Sequence, residues 1–167
     1  MIKLGSIAAI AIMPLMFAGC AAKLGTSPNG LEVPIEKAAV KLTADMKDGS
    51  YKIVTTDELK KWLDEGKKMT IISALSHDED RVSGIIPGAL SAPMPESEQE
   101  ITPEDKEHLL SAAGNNKEAV LVVYCGFVAN RKSHIGAKLL VNYGYKNVYR
   151  YTAGASGWGE SGYSLKK

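Results

Sequence analysis

The sequence predicts an α/β domain built on a central parallel sheet of about five strands, with helices on both faces. Short apolar runs alternate with segments of helical periodicity between residues 33 and 167. The run Ala119–Tyr124 is continuously apolar and rich in β-branched side chains, as expected of a strand buried on both faces. This stretch of chain is long enough for one compact domain and too short for two.

The N-terminus predicts an export signal and a lipid anchor. Residues 1–19 hold one charged side chain, Lys3, followed by an apolar stretch and small residues, which is the pattern of a signal peptide. Phe17-Ala18-Gly19-Cys20 resembles the bacterial lipobox, which implies a diacylglycerol on Cys20. We therefore expect residues 20–32 to form a tether and residues 33–167 to form an extracytoplasmic, membrane-anchored domain, in the periplasm or at the cell surface. An ordinary secreted protein and an uncleaved anchor are the open alternatives.

The charge composition argues against a nucleic-acid partner. The chain has 20 Lys and Arg against 19 Asp and Glu, so loss of Lys3 with residues 1–19 leaves 19 against 19. The basic residues are scattered and form no run typical of a polyphosphate-binding surface. His77 and His134 have no Cys or His neighbours at metal-ligand spacing. We predict no metal, no cofactor and a monomer.

In the first half of the domain, apolar periodicity and capping residues predict two helices and two strands. Ile35–Met46 has a helical pattern and predicts an N-terminal helix that lies across the domain. Tyr51–Val54 and Met69–Ala74 predict strands, and the intervening helix begins at residues 55–58, whose hydroxyls and carboxylates suit a helix N-terminus. The stretch Ser76–Arg81 is polar, and no element is predicted there.

The second half of the chain continues the alternation. A turn at Pro87-Gly88 precedes a short strand over Ala89–Ser91. Thr102 to Gly114 predicts a helix with Pro and acidic residues in its first turn. The remaining predicted elements are the strand Ala119–Tyr124, a helix over residues 132–143, the strand Asn147–Tyr151 and a short helical turn at Trp158.

Cys125 directly follows the predicted strand Ala119–Tyr124 and is the candidate nucleophile. Ligand sites of parallel sheets lie at the carboxyl ends of the strands. A loop between strand and helix also offers backbone N–H groups and a helix dipole, which favour a thiolate. If Cys20 is lipidated, Cys125 has no disulfide partner within the chain, and an unpaired cysteine outside the cytoplasm is expected to be buried or used. A small buried core cysteine is the alternative.

Five ordered motifs resemble the rhodanese-like domain family, and among its members they are most similar to single-domain bacterial lipoproteins. The similarity covers roughly residues 33–165. The motifs are Thr56-Asp57-Glu58-Leu59-Lys60-Lys61-Trp62-Leu63, Gly84-Ile85-Ile86-Pro87-Gly88-Ala89, Val123-Tyr124-Cys125-Gly126-Phe127-Val128, Gly144-Tyr145-Lys146-Asn147-Val148-Tyr149-Arg150 and Gly157-Trp158-Gly159-Glu160-Ser161-Gly162-Tyr163.

This resemblance implies a sulfurtransferase in which Cys125 carries sulfur as a persulfide. The sulfur would come from a small sulfur-containing anion such as thiosulfate and pass to cyanide or to a thiol, including a protein thiol. The loop amides are expected to surround the reacting sulfur, and the basic residues to stabilise an anionic substrate. The expected substrate-binding residues are Gly126, Phe127, Val128, Ala129, Asn130, Arg131 and Lys132.

Several positions depart from the family pattern. Ile85 stands where the family motif Gly-His-Ile-Pro-Gly-Ala has His, and Ala74 and Ser76 replace a strand-end Asp and the Arg two residues later. Asn130 stands where related lipoproteins often have a second loop cysteine, and Lys132 takes the customary Arg position. These departures favour one alternative function, a binding module that keeps the fold without turnover.

A second alternative follows from the spacing between Cys125 and Arg131. The pattern C-x5-R is typical of cysteine phosphatases and some arsenate reductases, in which loop amides and an arginine hold a tetrahedral oxyanion. Tyr124 and Lys132 depart from that pattern on either side of the loop.

Overall fold

A computed structural model describes residues 32–167, and residues 34–167 form one compact unit. The predicted signal peptide, the lipidation site Cys20 and nearly all of the tether therefore lie outside the described residues. Within residues 32–167, no helix is both long and apolar enough to cross a membrane.

Six helices, one 3-10 turn and five strands make up this part of the chain. The 3-10 turn covers Glu98–Glu100, between β3 and α4. The helices and strands are, in chain order, α1 Glu32–Gly49, β1 Lys52–Val54, α2 Thr56–Asp64, β2 Thr70–Ser73, α3 His77–Ser83, β3 Leu90–Ser91, α4 Pro103–Ala113, β4 Val120–Tyr124, α5 Lys132–Asn142, β5 Asn147–Tyr151 and α6 Gly154–Glu160.

All five strands form one parallel sheet in the order β1-β5-β4-β2-β3. β4 is the central strand, with Tyr124 in register with Ser73 of β2 and with Tyr151 of β5. The predicted α/β architecture is confirmed. Since the strands are parallel, the residues that follow β2, β4 and β5 meet at one edge of the sheet.

Two apolar layers cover the two faces of the sheet. On one face, Leu109 of α4 and Ile135 and Leu140 of α5 pack against residues of β2 and β4. On the other face, Leu59 of α2 and Trp158 of α6 pack against the opposite side of the same strands. Because β4 is buried on both faces, its side chains Leu121 to Tyr124 are completely inaccessible to solvent.

One helix was missed from the sequence. The polar stretch at residues 76–81 is the start of α3, because Ser76 caps the helix and accepts a hydrogen bond from the backbone N–H of Glu79. The Glu79 side chain accepts one in return from the Ser76 N–H at 2.8 Å. This reciprocal capping box holds a helix that has no apolar periodicity of its own.

Gly154 allows α6 to approach the loop that follows β4. Its φ angle is +65°, and a Cβ atom at this position would lie 2.2 Å from the carbonyl oxygen of Cys125. The next two amides, of Ala155 and Ser156, donate hydrogen bonds to the carbonyls of Cys125 and Gly126 at 2.9 and 3.0 Å. Only glycine combines this backbone conformation with so close a backbone contact.

We predict that Gly154→Ala destabilises the domain by about 3 kcal/mol, because it adds both a left-handed backbone strain and a clash with the Cys125 carbonyl. Urea unfolding measures the change. Gly159→Ala is the matched control within the same helix, since a Cβ there meets only the Leu165 side chain at an ordinary 3.6 Å. Equal effects of the two substitutions would contradict this role for Gly154.

Candidate functional site

Cys125 lies at the carboxyl end of the central strand β4, and its side chain is completely buried. Its sulfur is 3.0 Å from the hydroxyl oxygen of Ser133, in the first turn of α5. The sulfur also lies 3.6 Å from the carbonyl oxygens of Phe127 and Asn130. The loop between β4 and α5 thus folds over the sulfur, and the start of α5 holds it from the side.

Two carbonyl oxygens of the loop lie near the Cys125 sulfur. These oxygens can only accept a hydrogen bond from a protonated thiol. Among the described contacts, the Asn130 amide donates to the Phe127 carbonyl, and the Lys132 amide donates to the Asn130 side chain. The expectation that the loop amides surround a bound substrate, and that residues 126–132 bind it, stays a prediction.

Arg150 of β5 donates a hydrogen bond to Ser133. The Arg150 Nε–H donates to the Ser133 oxygen at 2.9 Å. Because a guanidinium has no acceptor, Ser133 must accept this bond, and its own hydrogen stays free for the Cys125 sulfur 3.0 Å away. Ser133 can therefore donate a hydrogen bond to a thiolate, whereas the two carbonyl oxygens cannot.

The other four N–H groups of Arg150 also have acceptors. One terminal nitrogen donates to the carbonyls of Val128 and Asn130 at 3.2 and 3.0 Å. The other donates to the carboxylate of Asp45 and to the hydroxyl of Tyr51, both at 3.1 Å. Arg150 is completely buried, and all five of its donors are satisfied.

Asp45 is the counter-ion of Arg150 and comes from α1. Burial raises the pKa of this carboxyl, but hydrogen bonds from Lys41 and Arg150 lower it, and the net pKa is below the ordinary value. Asp45 is therefore ionised at neutral pH. The N-terminal helix is for this reason a part of the site and not only an external extension.

A second hydrogen-bond chain runs from Tyr51 to His134. Tyr51 accepts from Arg150, so its own hydrogen is free for the Nδ1 atom of His134 at 2.9 Å. The neutral imidazole then carries its hydrogen on Nε2, which faces the Asp48 carboxylate 3.2 Å away. Burial is the largest influence on the pKa of His134 and lowers it, which favours this neutral form.

Among the described residues, one group of side chains could hold a metal ion: Asp48, Glu98 and His134. The chain supplies its own cation to these carboxylates. The Lys138 ammonium lies 2.8 Å from Asp48 and 3.1 Å from Glu98. A divalent ion would have to displace this lysine, and we assign none.

Arg131 and Lys132, the predicted anion-binding residues, are both engaged by carboxylates of the chain. Arg131 lies 3.7 Å from Asp45 and from Glu98. The Lys132 ammonium lies 2.5 Å from Glu79 and 3.6 Å from Glu96. Any anionic substrate would therefore compete with internal ion pairs for both cations.

An open cavity of about 430 Å³ borders the Cys125 loop. It is lined by the loop residues Gly126, Phe127 and Asn130 and by four residues of α3, namely Asp78, Glu79, Val82 and Ser83. Phe127 is half exposed to solvent at this cavity. The missed helix α3 therefore forms one wall of the space beside the reactive loop.

The positions that depart from the family pattern have structural roles in this chain. Ala74 is buried, and its amide donates to the Tyr124 carbonyl at 2.8 Å. Ser76 caps α3. Ile85 forms a two-way backbone bridge with Lys166 at 2.8 Å, and the Asn130 carbonyl accepts from Arg150.

The site residues missed from the sequence are Ser133, Arg150, Asp45 and Tyr51. A charged residue between two tyrosines in the predicted strand Asn147–Tyr151 was the available signal, because a strand buried on both faces has no solvent for an arginine. The sequence could not show which residues pair with Arg150, since Asp45 lies 105 residues away from it in the chain.

Comparison with known proteins agrees with this architecture. The family model of the rhodanese-like domain matches residues 55–161. The chain therefore belongs to the rhodanese-like domain family. No curated protein sequence matches the chain.

Solved structures show the same fold at low sequence identity. A thiosulfate sulfurtransferase from Pseudomonas aeruginosa is similar with a TM-score of 0.59 at 22% identity, over 77% of this chain but only 22% of that one. The polysulfide-sulfur transferase homodimer from Wolinella succinogenes has a TM-score of 0.55 at 23% identity, over 80% and 90% of the two chains. A possible tyrosine phosphatase of unknown function from Rhodopseudomonas palustris has a TM-score of 0.51 at 19% identity, over 84% and 97%.

We predict that Arg150→Met lowers the free energy of unfolding by about 3 to 5 kcal/mol, as is typical when one partner of a buried ion pair is removed. Urea unfolding measures the loss. The double variant Asp45→Asn/Arg150→Met is expected to lose less than the sum of the two single variants, since Asn leaves no buried charge unpaired.

The matched control is Arg81→Met, which removes a guanidinium whose ion pair with Asp78 is exposed to solvent. This control is expected to lower the free energy of unfolding by less than about 1 kcal/mol. If Arg150→Met costs no more than this control, Arg150 does not hold the site together.

Proposed function

We propose that this protein is a sulfurtransferase that carries sulfur as a persulfide on Cys125. Membership of the rhodanese-like domain family supports the class of reaction. The observation that carries the proposal is the contact between the Cys125 sulfur and the Ser133 hydroxyl, which also accepts a hydrogen bond from Arg150. This geometry suits a sulfur atom that alternates between a thiolate and a persulfide.

Loading takes one displacement at sulfur. The Cys125 thiolate attacks the outer sulfur of a thiosulfate-like donor, and the bond between the two donor sulfurs breaks. With thiosulfate, Cys125–S⁻ and S–SO₃²⁻ give Cys125–S–S⁻ and sulfite, so that charge and atoms balance. The Ser133 hydroxyl stabilises the Cys125 sulfur by donating a hydrogen bond to it.

In the unloading step, the Cys125 sulfur is the leaving group instead of the nucleophile. Cyanide or a thiolate attacks the outer sulfur of the persulfide, the sulfur–sulfur bond breaks, and its electron pair returns to Cys125. The leaving group of this step is the Cys125 thiolate, beside Ser133. One arrangement of Ser133 and Arg150 therefore serves both half-reactions.

The location proposed for this reaction is outside the cytoplasm, with the domain tethered to a membrane through lipidated Cys20. Its support is the signal-like sequence of residues 1–19 and the lipobox-like Phe17-Ala18-Gly19-Cys20. We propose that the domain acts there as a monomer on a small sulfur compound or a protein thiol, without a cofactor.

A binding module without turnover is the second candidate. It is favoured by the complete burial of Cys125 and by the carboxylates that engage Arg131 and Lys132. The phosphatase alternative gains no support, because Arg131 contacts Asp45 and Glu98 in place of an oxyanion site.

We predict that the purified full-length chain converts thiosulfate and cyanide to thiocyanate and sulfite, and that Cys125→Ser abolishes the reaction because an alcohol forms no persulfide. Ser133→Ala is expected to lower kcat/KM on the order of 10-fold or more, through loss of one hydrogen bond to a charged sulfur. Thiocyanate formation is measured colorimetrically.

The matched control is Cys20→Ser, which removes the other cysteine of the chain and is expected to leave turnover unchanged. Absence of thiocyanate from the wild-type protein, with every thiosulfate concentration tested, would favour the binding module. Turnover that survives in Cys125→Ser would overturn the proposal.

A further inference from the structure

We propose that the cavity beside the Cys125 loop binds the sulfur acceptor, and that this acceptor is a thiol with an apolar group and no negative charge. The inference rests on the proposed function, since it names the substrate class of the same site. It follows from the lining of the cavity, the charges in its wall and its position against the loop.

Apolar side chains form much of the wall. Val82 and Phe127 are large apolar residues that are 77% and 53% exposed, and both line this cavity. Leu75 lies at the same cavity and is buried. Contact with an apolar ligand would remove Val82 and Phe127 from water, which is favourable by about 25 cal/mol per Å² of apolar surface.

The charged groups in the wall are negative. Asp78 and Glu79 line the cavity, and no Lys or Arg is among the described lining residues. Glu79 engages Lys132 from the cavity side, and Lys132 is only 12% exposed. Asp78 pairs with Arg81 and Glu79 pairs with Lys132, so a carboxylate-bearing acceptor would find no free cation among the described residues of this wall, whereas a neutral or cationic acceptor needs none.

The cavity and the surroundings of the sulfur share two loop residues. Phe127 and Asn130 line the cavity, and their carbonyl oxygens lie 3.6 Å from the Cys125 sulfur. Cys125 itself is completely buried and does not line the cavity. A local shift of residues 127–130 would bring the thiol of a ligand in the cavity to the persulfide.

The transfer step balances without a further reactant. The acceptor R–SH loses its proton to the terminal sulfur, and its sulfur attacks that atom. Cys125–S–S⁻ and R–SH then give Cys125–S⁻ and R–S–SH. No oxidant or reductant is needed, because the sulfane sulfur moves between two thiols.

The test uses the persulfide form of the full-length chain, loaded with thiosulfate, in single-turnover reactions with four thiols. They are benzyl mercaptan, cysteamine, 2-mercaptoethanol and 3-mercaptopropionate, which are apolar, cationic, neutral and anionic. Each rate is corrected for the thiolate fraction and divided by the rate with a small-molecule persulfide. We expect benzyl mercaptan to exceed 3-mercaptopropionate by about 10-fold or more, equivalent to about 1.4 kcal/mol.

Substitutions of residues that line the cavity test whether the cavity causes this preference between thiols. Phe127→Ala is expected to lower the benzyl mercaptan rate about 5-fold, and Phe127→Leu to retain most of it. Asp78→Lys is expected to raise the 3-mercaptopropionate rate. Tyr143→Ala, which removes another exposed apolar side chain outside this cavity, is the matched control and is expected to change neither rate.

A sulfur-free titration separates failure of the inference from failure of the proposed function. Benzylamine and benzoate are added to the unloaded protein, and amide chemical shifts of residues 75–83 and 126–130 are followed by NMR. Binding of benzylamine in preference to benzoate supports the acceptor class even if no persulfide forms. Equal binding, a preference for benzoate, or persulfide transfer that favours 3-mercaptopropionate would overturn it.

Discussion

The buried guanidinium of Arg150 is the interaction on which the site depends. Moving an ion of this size out of water costs several kcal/mol unless its charge and all its donors are satisfied. Here the acceptors come from three separate parts of the chain: Asp45 and Tyr51 near the N-terminus, two carbonyls of the Cys125 loop, and Ser133 of α5. Each of these parts is therefore fixed relative to the others by one side chain.

This arrangement joins the N-terminal helix to the chemistry of the loop. Asp45 and Tyr51 precede residues 55–161, which the family model matches. The counter-ion of the central arginine thus comes from outside the matched region. Around the loop, carboxylates also engage Arg131 and Lys132. Close to Cys125, the Ser133 hydroxyl is a hydrogen-bond partner of the sulfur, and the described lining of the cavity beside the loop contains apolar side chains and no Lys or Arg.

The sequence was sufficient for features that depend on local patterns. Strand Asn147–Tyr151 was predicted with its observed bounds, because apolar runs that end in turn formers fix a strand locally. Helix α3 was missed, although its capping pair Ser76 and Glu79 was visible, because it lacks an apolar periodicity. The partners of Arg150 could not be predicted from the sequence, because Asp45 lies 105 residues away and only the tertiary fold brings the two charges together.

Mass spectrometry of the thiosulfate-treated protein tests the central claim most directly, that Cys125 is a sulfur carrier within this hydrogen-bonded site. We predict one additional sulfur atom per chain, mapped by proteolysis to the peptide that contains Cys125 and removed by a reducing thiol. An unmodified Cys125 after full exposure to donor, or sulfur found elsewhere in the chain, would contradict it.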